Sequence, residues 1–252
     1  MGISSILAIL FTLAFSFALP IGLMLWFRKR GGKWTAFLTG AVAFILFTLV
    51  LESALHNLLF LTPLWAVLQS NIWLYGLYGG LAAGVFEETG RLLAFKLFLK
   101  KEREPITALS YGIGHGGAET ILLVGLTMVN NLVLAAAVFA GGTTDPAVLE
   151  LAEQLAATPA GMFLWAAFER FGAIILHLSL SVLVFAAVKE PGKKWLFPAA
   201  IFLHAAADFI AVVSNAYLPV AATEIIALVF AVMATLFART VYRALPTTAQ
   251  ED

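Results

Sequence analysis

The chain has 252 residues, of which 62% are apolar and only 12% charged, with 15 acidic against 15 basic side chains. Soluble domains carry about 25% charged residues, so this composition excludes an ordinary soluble domain. The balanced charge has no large basic stretch and excludes nucleic acid as a partner. The absence of cysteine excludes disulfides, thiolate metal sites and cysteine nucleophiles.

A membrane span needs about 20 mainly apolar residues. Runs at 3–27, 34–55, 71–98, 105–130, 159–188, 195–214 and 219–240 qualify. They predict an all-α, polytopic transmembrane helix bundle of about seven spans, forming a single integral membrane domain over 1–252. The first run is longer than a signal-peptide core and leads into Arg28, Lys29, Arg30 and Lys33, so it reads as a retained span. Lys96, Lys100, Lys101 and Arg103 follow the third run, Lys189, Lys193 and Lys194 the fifth, and Arg239 and Arg243 the seventh. The alternate loops, 56–70, 141–158 and 215–218, contain no lysine or arginine. Basic residues stay on the cytoplasmic side, which puts the N-terminus outside and the C-terminus in the cytoplasm.

Gly76, Gly80 and Gly84 in the third run form a small-xxx-small stripe that suits close helix packing. The fourth run extends toward Ala140, too long for one straight span. Either Gly112, Gly114, Gly116 and Gly117 break it or it tilts. In the loop 141–158, Asp145 and Pro146 match an N-cap and first helical position. Val148, Leu151 and Leu155 share a face away from Glu150 and Glu153, which predicts a short helix on the outer surface.

A charged side chain at mid-membrane costs about 2.5–3.5 kcal/mol on insertion scales, so each one is a functional candidate. The candidates are Glu87, Glu88, Arg91, His115, Glu119, Glu169, Arg170, His177, His204 and Asp208. At ~1.5 Å per residue, Glu87, His115, His177 and His204 lie roughly 13–17 Å above the cytoplasmic boundary, each on a different helix. Glu119 and Asp208 sit one turn deeper than His115 and His204, at i,i+4 on the same faces. Imidazole and carboxylate at this spacing suit zinc or another first-row divalent metal, with His115, Glu119, His177 and His204 as candidate ligands.

Plainer roles compete. A lone intramembrane histidine serves equally well as an interhelical hydrogen-bond donor, and Glu88 with Arg91 alone reads as a structural ion pair. Glu52, His56 and Glu224 fall near the outer interface, where solvation is cheap. Neither role accounts for the shared depth on four helices.

Three motifs occur in order: Glu87-Glu88-Thr-Gly-Arg91, Tyr111-Gly-Ile-Gly-His115 and His204-Ala-Ala-Ala-Asp208. They resemble the paired-glutamate/arginine, aromatic-xxx-His and His-xxx-Asn/Asp motifs of the CAAX-protease and bacteriocin-processing superfamily of intramembrane proteases. The resemblance covers roughly residues 71–215. The usual motif puts the arginine five and four residues after its glutamates; here it follows by four and three, which leaves open which glutamate pairs with Arg91. Glu119, Glu169-Arg170 and His177 are additional to the superfamily pattern and resemble its YhfC-type branch.

The resemblance implies a peptidase acting on a membrane-embedded or membrane-bound peptide or protein substrate, in a prokaryotic plasma membrane. Glu87 or Glu88 would serve as general base with Arg91 orienting the other. His115 and His204 would position the water, directly or through a metal, and Asp208 would hold His204 or stabilise the oxyanion. Glu169 and Arg170 are secondary candidates. Two other classes use similar residues: a metal-ion or proton-coupled transporter, whose expected inverted repeat is not evident here, and a non-catalytic receptor or assembly factor with a structural metal.

Overall fold

The computed structural model describes residues 2–142 and 144–246, and none of these lies in a strand. The helices are α1 (Ile3–Lys29), α2 (Trp34–Phe60), α3 (Pro63–Gln69) and α4 (Ile72–Leu93, continued by a π-helical turn, Ala94–Phe98). They are followed by α5 (Ile106–Phe139), α6 (Pro146–Ala157), α7 (Ala160–Lys189), α8 (Leu196–Tyr217) and α9 (Val220–Arg243). Six of these, α1, α2, α5, α7, α8 and α9, are long and apolar enough to cross a membrane. α4 has comparable length, but Glu87, Glu88, Arg91 and Lys96 dilute its apolar character. The chain is thus a polytopic helix bundle whose least apolar long helix carries the acidic pair.

α7 is the central helix: 72% of its most apolar stretch is buried, against 28% or less for the other five. Those helices turn large apolar side chains outward, such as Leu7, Phe11, Leu38, Val42 and Leu236. Lipid solvates such surfaces, whereas water would not. The main core lies around α7, where Leu180, Leu183 and Phe185 meet Phe95, Tyr111 and Leu196. Lys189 closes the end of α4 by donating from Nζ to the Leu99 carbonyl at 2.8 Å and the Lys100 carbonyl at 3.1 Å. That is a side-chain cap on otherwise open carbonyls.

Small residues set how closely the helices approach. α4 packs on α8, and α2 on α5. A Cβ on Gly84 would meet the Ile201 carbonyl oxygen at 2.8 Å, and one on Gly80 would run into the Ala205 carbonyl. At the other crossing Gly40 lies against the Tyr111 carbonyl and Gly114 against that of Phe37. Backbones this close bring short side chains from different helices within reach of one another.

The glycines of α5 do not break it. It runs 34 residues, about 51 Å at the usual rise and longer than a ~30 Å hydrocarbon core. A π-helical stretch, Thr120–Gly125, follows Glu119 directly. A second, Ile45–Glu52, interrupts α2, which continues five residues beyond the expected boundary to Phe60. α6 begins as expected: Asp145 accepts from the Ala147 N–H at 2.9 Å, and Pro146 occupies the first turn. It packs over the end of α5, where Leu155 joins Leu132 and Met128, while Leu151 of the expected face remains exposed.

Candidate functional site

α4, α5, α7 and α8 each deliver a histidine or glutamate to one buried point. Glu87 and Glu88 of α4 are consecutive, so they point about 100° apart around the helix and meet different partners. Glu88 is fully buried and faces Arg91, whose Nη1 lies 2.6 Å from both carboxylate oxygens. His204 of α8 donates from Nδ1 to the same carboxylate at 2.8 Å. The ambiguity in the motif is thereby resolved: Arg91 pairs with Glu88. Glu87 is left to the histidines. Its Oε2 accepts from His115 Nε2 at 2.8 Å, with His204 Nε2 at 3.8 Å and His177 Nδ1 at 3.9 Å.

The partners fix the ring protons. A carboxylate only accepts, so His204 carries hydrogen on Nδ1 and, when neutral, a lone pair on Nε2. Arginine only donates, and Arg91 Nη2 lies 3.1 Å from His177 Nδ1, so that nitrogen bears a lone pair too. The opposite nitrogen of His177, Nε2, lies 2.5 Å from Glu119 Oε2. The lone pair of His177 Nδ1 is thus taken by Arg91, while that of His204 Nε2 is left uncommitted 3.8 Å from the Glu87 oxygen.

Glu119 stands away from that point. Arg170 Nη1 lies 2.6 Å from Glu119 Oε1, and Arg170 also pairs with its neighbour Glu169. Glu119, Arg170 and Glu169 thus form a chain of charges ending on His177. Asp208 sits at an open edge with its side chain 39% exposed, its Oδ2 3.7 Å from His204 Nε2. All four groups expected at one depth, Glu87, His115, His177 and His204, come together.

Aromatic rings pack around the site where α2 meets α4 and α5. Phe44 of α2 stands edge-on to His115 at 5.3 Å between centroids. Tyr111 is fully buried between Phe95 and His115. Phe47 lies over Gly90, where a Cβ would meet the ring at 2.6 Å, so glycine at this position lets α2 cover the Glu88–Arg91 pair. Neither Phe44 nor Phe47 belongs to a motif, and in sequence they look like lipid-facing bulk.

Glu52 departs from the solvated placement expected of it. Only 6% of it is exposed, and its Oε2 has no hydrogen-bond partner. Glu224 is partly buried.

Glu87, His115 and His177 each offer a ligand atom, all within 4.8 Å of one another, and all three residues are buried. A divalent cation fits this donor set. Glu87 Oε2 and His177 Nδ1 now accept from His115 and Arg91, and a cation among the three residues would take the place of those protons. His115 Nδ1 has no hydrogen-bond partner, so its ring proton can move there and free Nε2 without breaking another bond. A cation at His177 Nδ1 would replace its bond from Arg91.

The YhfC intramembrane metalloprotease family matches residues 15–230 of the chain. The uncharacterized membrane protein YhfC of Bacillus subtilis (strain 168) is 37% identical over 203 residues, which is 76% of this chain and 78% of that protein. No solved structure matches.

Proposed function

The chain belongs to the YhfC family, and from that premise we propose an integral protein of a bacterial plasma membrane that hydrolyses peptide bonds in membrane-associated substrates. The convergence of three imidazole nitrogens on Glu87 Oε2 carries this reading. Glu87, His115 and His177 would hold the metal. When bound, zinc supplies a polarised carbonyl and a water whose pKa falls to about 7.

The remaining groups move protons and hold positions. His204 Nε2 lies 3.8 Å from Glu87 and 3.7 Å from Asp208, beyond direct hydrogen bonding, and is placed to accept from the attacking water. His204 Nε2 takes a proton from that water as its oxygen attacks the peptide carbonyl. It returns the proton to the amine nitrogen as the C–N bond breaks. Glu88 holds the ring of His204 through Nδ1 and is itself held by Arg91, so its role is positioning. Glu119 does the same for His177, supported by Arg170 and Glu169. Asp208, at the open edge, faces the entering substrate. Counting residues from the basic ends of the helices supports entry from the cytoplasmic half of the bilayer.

The test compares membrane-derived peptides from cells with the wild-type protein, with Glu87→Gln, and without the protein. Cleavage products present only with the wild type are expected. If no product depends on the protein, the transporter or receptor reading replaces this one. If Glu87→Gln supports full processing, the site is elsewhere.

A further inference from the structure

α2 carries a polar line that the hydrolytic machinery does not use. It begins level with the site, where Phe44 touches His115 and Phe47 covers Gly90. From there Thr48, Glu52 and His56 follow at intervals of four toward the end of the bundle that lacks lysine and arginine. Thr48 Oγ1 and Glu52 Oε2 are both buried without a hydrogen-bond partner. Glu52 Oε1 is 3.3 Å from His56 Nε2, and His56 Nδ1 is 2.5 Å from the Tyr78 hydroxyl of α4. The His56 side chain is 30% exposed, so the line reaches the surface there.

Two buried oxygens left bare on one helix are costly, and polar groups in that state normally hold ordered water. The Ile45–Glu52 stretch packs against α4, the helix that carries Glu87 and Glu88. The backbone has the same character. Among the described residues, π-helical stretches occur at Ala94–Phe98, Thr120–Gly125 and Ile45–Glu52. The first two begin just after Arg91 and Glu119, and the third ends on Glu52. π-helical turns concentrate at functional positions, where they re-aim side chains out of α-helical register.

We propose that Thr48, Glu52, His56 and Tyr78 line a water path from the outer face of the membrane to the Glu87–histidine site. The proposal deepens the hydrolase reading by giving the route of its second substrate, water. Substrate peptide and water then approach from opposite halves of the bilayer.

The chain has no cysteine, so single cysteines can be placed in the full-length protein without removing others. Thr48→Cys and Glu52→Cys are treated in oriented membrane vesicles with a membrane-impermeant, charged thiosulfonate reagent. Reaction from the outer face is expected to be at least about tenfold faster than for Val42→Cys on the lipid-facing surface, because only a hydrated thiol ionises to the reactive thiolate. Adding His56→Trp, which fills the mouth, is expected to slow it. Thr48→Cys is nearly isosteric, so the test survives if Glu52→Cys folds poorly. Absence of outer-face reaction at Thr48→Cys, or reaction only from the face bearing the basic loops, overturns the path. Labelling does not require catalysis, so failure of the path and failure of the peptidase reading are separately visible.

Discussion

Arg91→Met isolates the energetics of the acidic pair. Arg91 and Glu88 are both fully buried, and Arg91 bonds both Glu88 oxygens at 2.6 Å and His177 at 3.1 Å. Removing one partner of a buried ion pair costs about 3–5 kcal/mol, because the other charge remains without compensation. Removing both charges, as in Glu88→Gln with Arg91→Met, is expected to cost only about 1–2 kcal/mol. His204 can still donate to the glutamine oxygen, and only neutral hydrogen bonds are lost. For a chain of this size the single variant should lower Tm by about 6–20 °C and the double by about 2–8 °C, at 2–4 °C per kcal/mol. The assay is thermal unfolding of metal-stripped protein in detergent, followed by tryptophan fluorescence. An Arg91→Met loss below about 1 kcal/mol, or a double variant as unstable as the single, would refute the assignment of Glu88 to Arg91.

A reporter fused after Lys101 is expected to read cytoplasmic and one at Asp145 exterior; the reverse pattern would invert every depth assigned here. Gly80→Ala and Gly84→Ala are each expected to destabilise by about 1–3 kcal/mol in the same melting assay, because the added methyl meets backbone carbonyls of α8. Gly79→Ala, with open space around it, should be neutral or stabilising by up to ~1 kcal/mol from helix propensity. Equal effects at Gly79 and Gly80 would contradict the packing. Glu119→Gln and Arg170→Met are expected to weaken zinc binding about 10–100-fold in competition titrations with a chelator, the scale for groups that orient a ligand. Complete loss of metal from Glu119→Gln would make Glu119 a direct ligand.

The spans were legible because apolar run length and the one-sided placement of lysine and arginine report the membrane directly. Depth was legible too: counting residues from the basic ends placed Glu87, His115, His177 and His204 together, and they converge. Rotation about each helix was not. Glu119 shares a face with His115 in sequence, yet it lies with Arg170 beside His177, because neighbouring helices decide which side of a ligand-bearing face meets which partner. The division of labour between Glu87 and Glu88 also depended on what each meets in space. The distance of Glu52 along the chain suggests solvation, but the π-helical stretch and the packing of α2 on α4 bury it. Its spacing from Thr48 and His56 was the available signal.

The most direct test of a metal centre built on Glu87 is elemental analysis of the purified protein beside its single-residue variants. About one equivalent of a divalent metal, zinc foremost, is expected in the wild type, with marked loss in Glu87→Gln, His115→Ala and His177→Ala, since each removes a direct ligand. A wild type that binds no divalent metal after reconstitution, or metal content unchanged across all three variants, would contradict it.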